Sequence, residues 1–167
     1  FSKTVVQELR EVTGFPITLA DDLIEASSSL GAMLFLSGIL RRLAVKVSKI
    51  CNDLRLLSSG PRCGLNEINL PAMAPGSSIM PGKVNPVIPE MMNMCCFETI
   101  GNDLSVAFGA EAGQLELNVM EPIVIYKLFT SVRVLTRGMN TLREKCVMGI
   151  TANEEHCKEM VHNSIGI

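Results

Sequence analysis

Aromatic residues make up only 4% of this 167-residue chain, and tryptophan is absent, so the 47% of hydrophobic residues is carried by Leu, Ile, Val, Met and Ala. A core of that kind suits long packed helices. Long uncharged runs are scarce as well: the longest on a helical pattern, Ala26 to Leu40, has 15 residues and includes several Ser and Gly, against about 20 apolar residues for a membrane span. It reads as a buried helix, and no membrane partner is expected. Basic runs are also missing. Fifteen Lys and Arg against seventeen Asp and Glu give a formal charge of −2, which argues against nucleic acid as a partner. The six cysteines, at 51, 63, 95, 96, 146 and 157, show neither Cys-x-x-Cys metal spacing nor a disulfide framework, so reduced thiols are expected. No basic-then-apolar leader opens the chain, which fits a cytoplasmic protein. Length alone allows one domain.

What the chain does contain is the run Gly76-Ser77-Ser78-Ile79-Met80-Pro81-Gly82-Lys83-Val84-Asn85-Pro86. It places two hydroxyls, a cation and an amide in a small-residue loop at the mouth of a helix. Asn85 is a good N-cap and Pro86 suits a first helical position, so a helix is expected from Pro86 to about Ala112. A carboxylate near Lys83 would feel a full charge, free backbone N–H groups and the helix dipole together. Gly76 and Gly82 would let N–H groups approach a substrate and let the loop move. Taken alone, Ser77 or Ser78 is a candidate nucleophile in need of a histidine, and neither His156 nor His162 lies in a motif that recommends it.

Other elements follow from caps and breakers. A helix over residues 1 to 11 stops at Thr13-Gly14-Phe15-Pro16. Asp21 or Asp22 can cap a second helix running to about Leu57. Residues 60 to 85, rich in Pro and Gly, form a long irregular connection, a kind of segment that is usually functional or disordered. A further helix runs from Asn118 or Glu121 to about Cys146, with Pro122 tolerable in its first turn. Arg55 and Arg62 are expected in salt bridges, Glu116, Asn118 and Glu121 as caps and first-turn residues, and Met91 to Met94 in the core. Asn153 can cap a last helix. Helices this long and apolar all round must be buried on every side, and three cannot enclose one another, so oligomerisation is expected from surface alone.

The loop resembles the signature of the fumarase/aspartase superfamily. Within it, Ile50 to Arg62, Gly64 to Pro71, Val84 to Glu90, Gly149 to Asn153 and Asn163 to Ile167 look most like the ammonia-lyase (aspartase) branch. Class II fumarase is the near rival. The resemblance covers essentially the whole chain and implies an all-α fold, a long-helix bundle segment of the central domain that packs in a homotetramer. It implies residues 1–149 as that segment, with the catalytic loop at 76–85, and residues 150–167 as the start of a small C-terminal domain. Family members are nearly three times as long, so the chain reads as a middle-to-late segment, inactive alone; a non-catalytic oligomerisation module is the reading from another class.

The implied activity is reversible loss of ammonia from L-aspartate, a small-molecule substrate, to give fumarate, with no cofactor or metal. By the same resemblance Ser77 is the general base, acting as an alkoxide. Ser78, Lys83 and Asn85 bind substrate, Gly76 and Gly82 support the loop, and Glu90 pairs with a histidine outside this chain. Lowering a hydroxyl pKa by five units takes about 7 kcal/mol, while a helix terminus offers at most about 2 kcal/mol. Other N–H donors and a closed, dry site, built from three subunits in this family, are therefore expected.

Overall fold

The computed structural model describes residues 1–166; Ile167, the end of the Asn163 to Ile167 run, lies outside the described residues. The described residues form six α-helices: α1 Ser2–Thr13, α2 Leu23–Ser28, α3 Gly31–Leu57, α4 Val87–Glu111, α5 Glu121–Lys145 and α6 Glu154–His162. Two short strands, β1 Ile68–Asn69 and β2 Thr151–Ala152, pair antiparallel with Ile68 opposite Ala152. The all-α expectation of long helices packed together therefore holds, and α4 lies between α3 and α5.

Local chemistry explains most boundaries. Gly14 ends α1 at φ 68°, the left-handed conformation that glycine adopts without strain. Asp22 caps α2, its carboxylate accepting from the N–H groups of Ile24 and Glu25 at 2.9 and 3.1 Å. Pro122 sits in the first turn of α5, where no N–H is required of it.

The expected single helix from Asp21 or Asp22 to Leu57 is instead two. Ser29 is extended at φ −87°, ψ 125°. The break frees the Ser27 carbonyl to accept from Asn118 N–H at 3.0 Å, and the Ser27 hydroxyl donates to Glu116 O at 2.7 Å. Tertiary hydrogen bonds to the α4–α5 connection thus replace helical ones. Asn118 joins the same corner, donating to Gly109 O at 2.9 Å and accepting from Met120 N–H at 2.8 Å.

Two buried clusters hold the three long helices. One contains Ala44 and Cys51 of α3, Met92 and Cys96 of α4, Leu135 and Leu142 of α5, and Cys146. The other joins Leu30, Val106, Val124 and Leu128. Polar pairs link α3 to α4: Asp103 accepts from Ser37 Oγ at 2.7 Å and from Arg41 at 2.9 Å, and Asn93 donates to Ser48 Oγ at 2.8 Å. Glycines bring α4 and α5 close, since a Cβ on Gly109 would fall 2.6 Å from Val124 Cγ2 and one on Gly138 2.8 Å from Met92 Sδ.

Of the Met91 to Met94 run, Met92 is fully buried while Met94 is exposed. Met94 belongs to a line of exposed positions along α4, continued by Phe97, Gly101, Leu104 and Phe108. Its alternating three- and four-residue spacing is that of a seam between helices. Phe35 and Ile39 of α3 and Tyr126 and Phe129 of α5 are exposed as well. Arg55 and Arg62 make none of the ion pairs found among the described residues; Arg55 instead reaches Asn93 Oδ1 at 3.5 Å. No helix among the described residues is long and apolar enough to cross a membrane.

Candidate active site

The loop from Gly76 to Asn85 is closed at its neck. Pro75 and Val84 form an antiparallel bridge, Gly76 N–H donates to Lys83 O at 2.6 Å, and Asn85 Nδ2 lies 3.5 Å from Gly76 O. The return is a turn through Pro81 and Gly82, with Lys83 N–H donating to Met80 O at 3.2 Å and Gly82 at φ 80°, the geometry of a type II turn. Ile79 and Met80 are exposed at the tip.

Two expectations about the loop need correction. Gly76 does not leave its N–H free for a substrate, because Lys83 O takes it. Its glycine is needed for another reason: a Cβ would lie 2.8 Å from both Lys83 Cγ and Lys83 O, so a side chain would force the neck open. Asn85 does not cap α4 through its side chain, and the helix starts at Val87 with Pro86 in the cap position. Its amide spans the loop neck instead. The N-terminus of α4 is poorer in donors than its dipole suggests, since Pro86 and Pro89 have no N–H. Val87 N–H bonds Asn85 O at 2.8 Å and Glu90 N–H bonds Pro86 O at 3.2 Å. Ile88 N–H alone in this turn lacks an acceptor among the described residues.

Beside the loop is an open depression of about 610 Å³. Arg62, Asn66 and Asn69 line it from the 60–85 connection, and Gly82, Lys83 and Asn85 from the loop's return. No carboxylate is among its lining residues, and Lys83 and Arg62 enter no ion pair among the described residues. The wall therefore carries uncompensated positive charge suited to an anion. Gly76, Ser77, Ser78 and Glu90 are not part of this wall. Ser77 is half-buried at the neck, its Oγ accepting from Ile79 N–H at 3.1 Å; Ser78 is exposed. Glu90 is half-buried in the first turn of α4 and makes no side-chain hydrogen bond among the described residues. His156 is committed elsewhere, donating through Nε2 to Leu65 O at 2.8 Å.

The buried thiols offer no nucleophile. Burial pushes Cys51 and Cys96 up to about 11, with the neighbouring thiols Cys96 and Cys146 adding to the effect at Cys51, and burial also raises Cys146. Among the described residues no three His, Cys, Asp or Glu side chains are grouped to hold a metal ion.

Three residues of this region carried weight in the sequence only through resemblance or as a cap: Asn66, Asn69 and Asn153. Asn153 precedes α6 as expected, but its side chain does not cap that helix. Its Nδ2 donates to Asn66 O at 2.8 Å, and its Oδ1 accepts from Asn69 Nδ2 at 2.7 Å. A local signal existed for Asn66 alone, which adopts φ 49°, a conformation that asparagine tolerates better than most residues.

Known proteins resemble the chain in both sequence and fold. The chain is 63% identical over all its 167 residues to an aspartate ammonia-lyase of Helicobacter pylori, covering 36% of that protein. It is 62% identical over the same span to the enzyme of that name in Escherichia coli, covering 35% of it. The chain thus spans about a third of the length of the curated relatives it matches. Among solved structures, a protein titled fumarate lyase:delta crystallin from Brucella melitensis superposes with a TM-score of 0.90 at 55% identity, over 97% of this chain and 35% of that one. The class II fumarase of Schistosoma mansoni superposes with a TM-score of 0.83 at 36% identity, over 95% of this chain and 36% of its own. The model of the family described as Lyase matches residues 1–101, a stretch that takes in α1 to α3, the whole loop and the first part of α4. With that match over more than half its length, the chain belongs to this lyase family, in the fumarase/aspartase superfamily.

Proposed function

We propose that these residues form the middle-to-late part of an aspartate ammonia-lyase, which reversibly eliminates ammonia from L-aspartate to give fumarate. The observation that carries this reading is the 62–63% identity to aspartate ammonia-lyases over every residue of the chain, against 36% to the class II fumarase. The unpaired Lys83 in a depression without carboxylates supports it chemically.

In this reading Ser77, as an alkoxide, takes the proton from Cβ. The electron pair left on Cβ is delocalised into the adjacent carboxylate as an oxyanion, and then forms the carbon–carbon double bond as the amine departs from Cα. Lys83 and Asn85 hold a substrate carboxylate, with Ser78 as a further donor. Their positive potential stabilises charge where it develops. The single N–H donor on Ser77 Oγ and the sparse donors of the α4 terminus cannot supply the several kcal/mol that an alkoxide needs. Closure of the loop and walls from other subunits provide the rest, so the isolated chain is inactive. The carboxylate of Glu90 is available for the histidine that the resemblance places elsewhere in the full protein. Residues 1–149 act as the central helical segment and 150–167 as the start of a smaller domain, in a cytoplasmic homotetramer.

The test is ultraviolet detection of fumarate from the full-length protein offered L-aspartate and L-malate separately. Release from aspartate alone is expected; release from malate alone makes the protein a fumarase. Ser77→Ala should abolish turnover without changing the helical circular dichroism. A second role, a helical oligomerisation module, is favoured for the isolated chain by the exposed line Met94, Phe97, Leu104 and Phe108.

A further inference from the structure

Asn153 fixes the orientation of a carboxamide in the wall of the depression. Its backbone N–H donates to Glu67 O at 2.9 Å, beside the β1–β2 pairing. Its side-chain nitrogen lies 2.8 Å from Asn66 O. A backbone carbonyl only accepts, so the Asn153 atom facing it must be the amide nitrogen and not the oxygen. The same nitrogen lies 3.2 Å from the Asn66 side chain, which requires an acceptor there, the Asn66 Oδ1. Asn66 Nδ2, with two N–H groups, is thereby left without an acceptor among the described residues, on a residue that lines the depression alongside Lys83. Asn69 is not equivalent. Its Nδ2 donates to Thr151 Oγ1 and Asn153 Oδ1, so both of its N–H groups are used up in the clamp.

Gly60 makes room for this arrangement, since a Cβ on it would come within 3.1 Å of Asn66 Cβ. An oriented pair of N–H donors that shares a wall with an unpaired ammonium and no carboxylate is complementary to a carboxylate ligand. We infer that Asn66 binds a carboxylate of the dicarboxylate substrate through Nδ2, and that Asn153 is the positioning residue that turns it toward the depression. This inference deepens the ammonia-lyase reading and rests on it.

The experiment uses the full-length protein and two readouts, calorimetric binding of succinate, which cannot be turned over, and steady-state turnover of L-aspartate. Asn66→Ala should weaken succinate and raise KM by about tenfold, the usual scale for a hydrogen bond to a charged group, with kcat nearly unchanged and Tm lowered by a few degrees, because alanine is strained at the φ of 49° that Asn66 adopts. Asn66→Asp keeps the acceptor for Asn153 but presents a negative oxygen to the ligand, so it should weaken binding further than alanine does. Asn153→Ala should reproduce part of the loss, and the double variant should be no weaker than Asn66→Ala alone. Succinate binding by Asn66→Asp as tight as wild type, losses that multiply in the double variant, or no succinate binding by wild type overturns the inference. Wild-type protein that binds succinate but releases no fumarate from aspartate would sink the lyase reading and leave the role of Asn66 standing.

Discussion

Cys51, Cys96 and Cys146 share one core cluster, and their burial makes a chemical prediction. At neutral pH an alkylating reagent should label Cys63, which is exposed, long before these three, because a buried thiol is both inaccessible and slow to ionise. Mass spectrometry of partly alkylated protein reads the order. Cys51 and Cys96 lie at about 11 when folded, against 9 for the free thiol. Their folded values are raised, so the stability they contribute is complete below about pH 9 and is lost as pH climbs toward 11. Denaturant midpoints should therefore fall across that window, and fall less in Cys51→Ala. Legibility at this scale divides by range. Lys83 and Ser77 stood out because their neighbours in sequence are also their neighbours in space. The amides of Asn66 and Asn153 meet across 87 positions, a pairing that no local pattern encodes. Arg62, expected in a salt bridge, instead lines a depression that offers no carboxylate.

Helix ends were readable wherever a side chain or a turn conformation set them, as at Asp22, Gly14 and Pro122. They were misread where tertiary bonds decided, at the Ser29 break and at Asn85, whose amide crosses the loop neck. The neck itself is testable as an element. Gly76→Ala would push a methyl into Lys83 at about 1–3 kcal/mol of strain. Its effect should appear as at least a tenfold loss of kcat/KM with Tm shifted by no more than a few degrees, because the three long helices do not depend on the loop. Equal loss of both would mean that the neck supports the fold rather than the site.

At the scale of the molecule, composition already pointed outward. Helix α4 has no distinct polar face, yet only its flanks toward α3 and α5 are covered by the described residues. The seam Met94, Phe97, Gly101, Leu104, Phe108 is left bare. Phe97→Glu and Phe108→Glu should each shift the full-length protein from the proposed tetramer toward smaller species in sedimentation, since a buried charge in such a seam is costly. An unchanged assembly would place the contact elsewhere. The number of copies was not written in the residues, because a bare face states that it must be covered and not by how many partners. The same α4 carries the loop at its first turn and the seam along its next four turns. At about 1.5 Å per residue, the 22 residues from Val87 to Phe108 make a rod of roughly 30 Å with the proposed catalytic loop at one end and the bare seam along its side. If the proposed lyase assembles along this seam, diluting it should lower more than its amount: as copies separate, the rods lose the contacts that aim their loops, and rate should fall with a power of protein concentration greater than one.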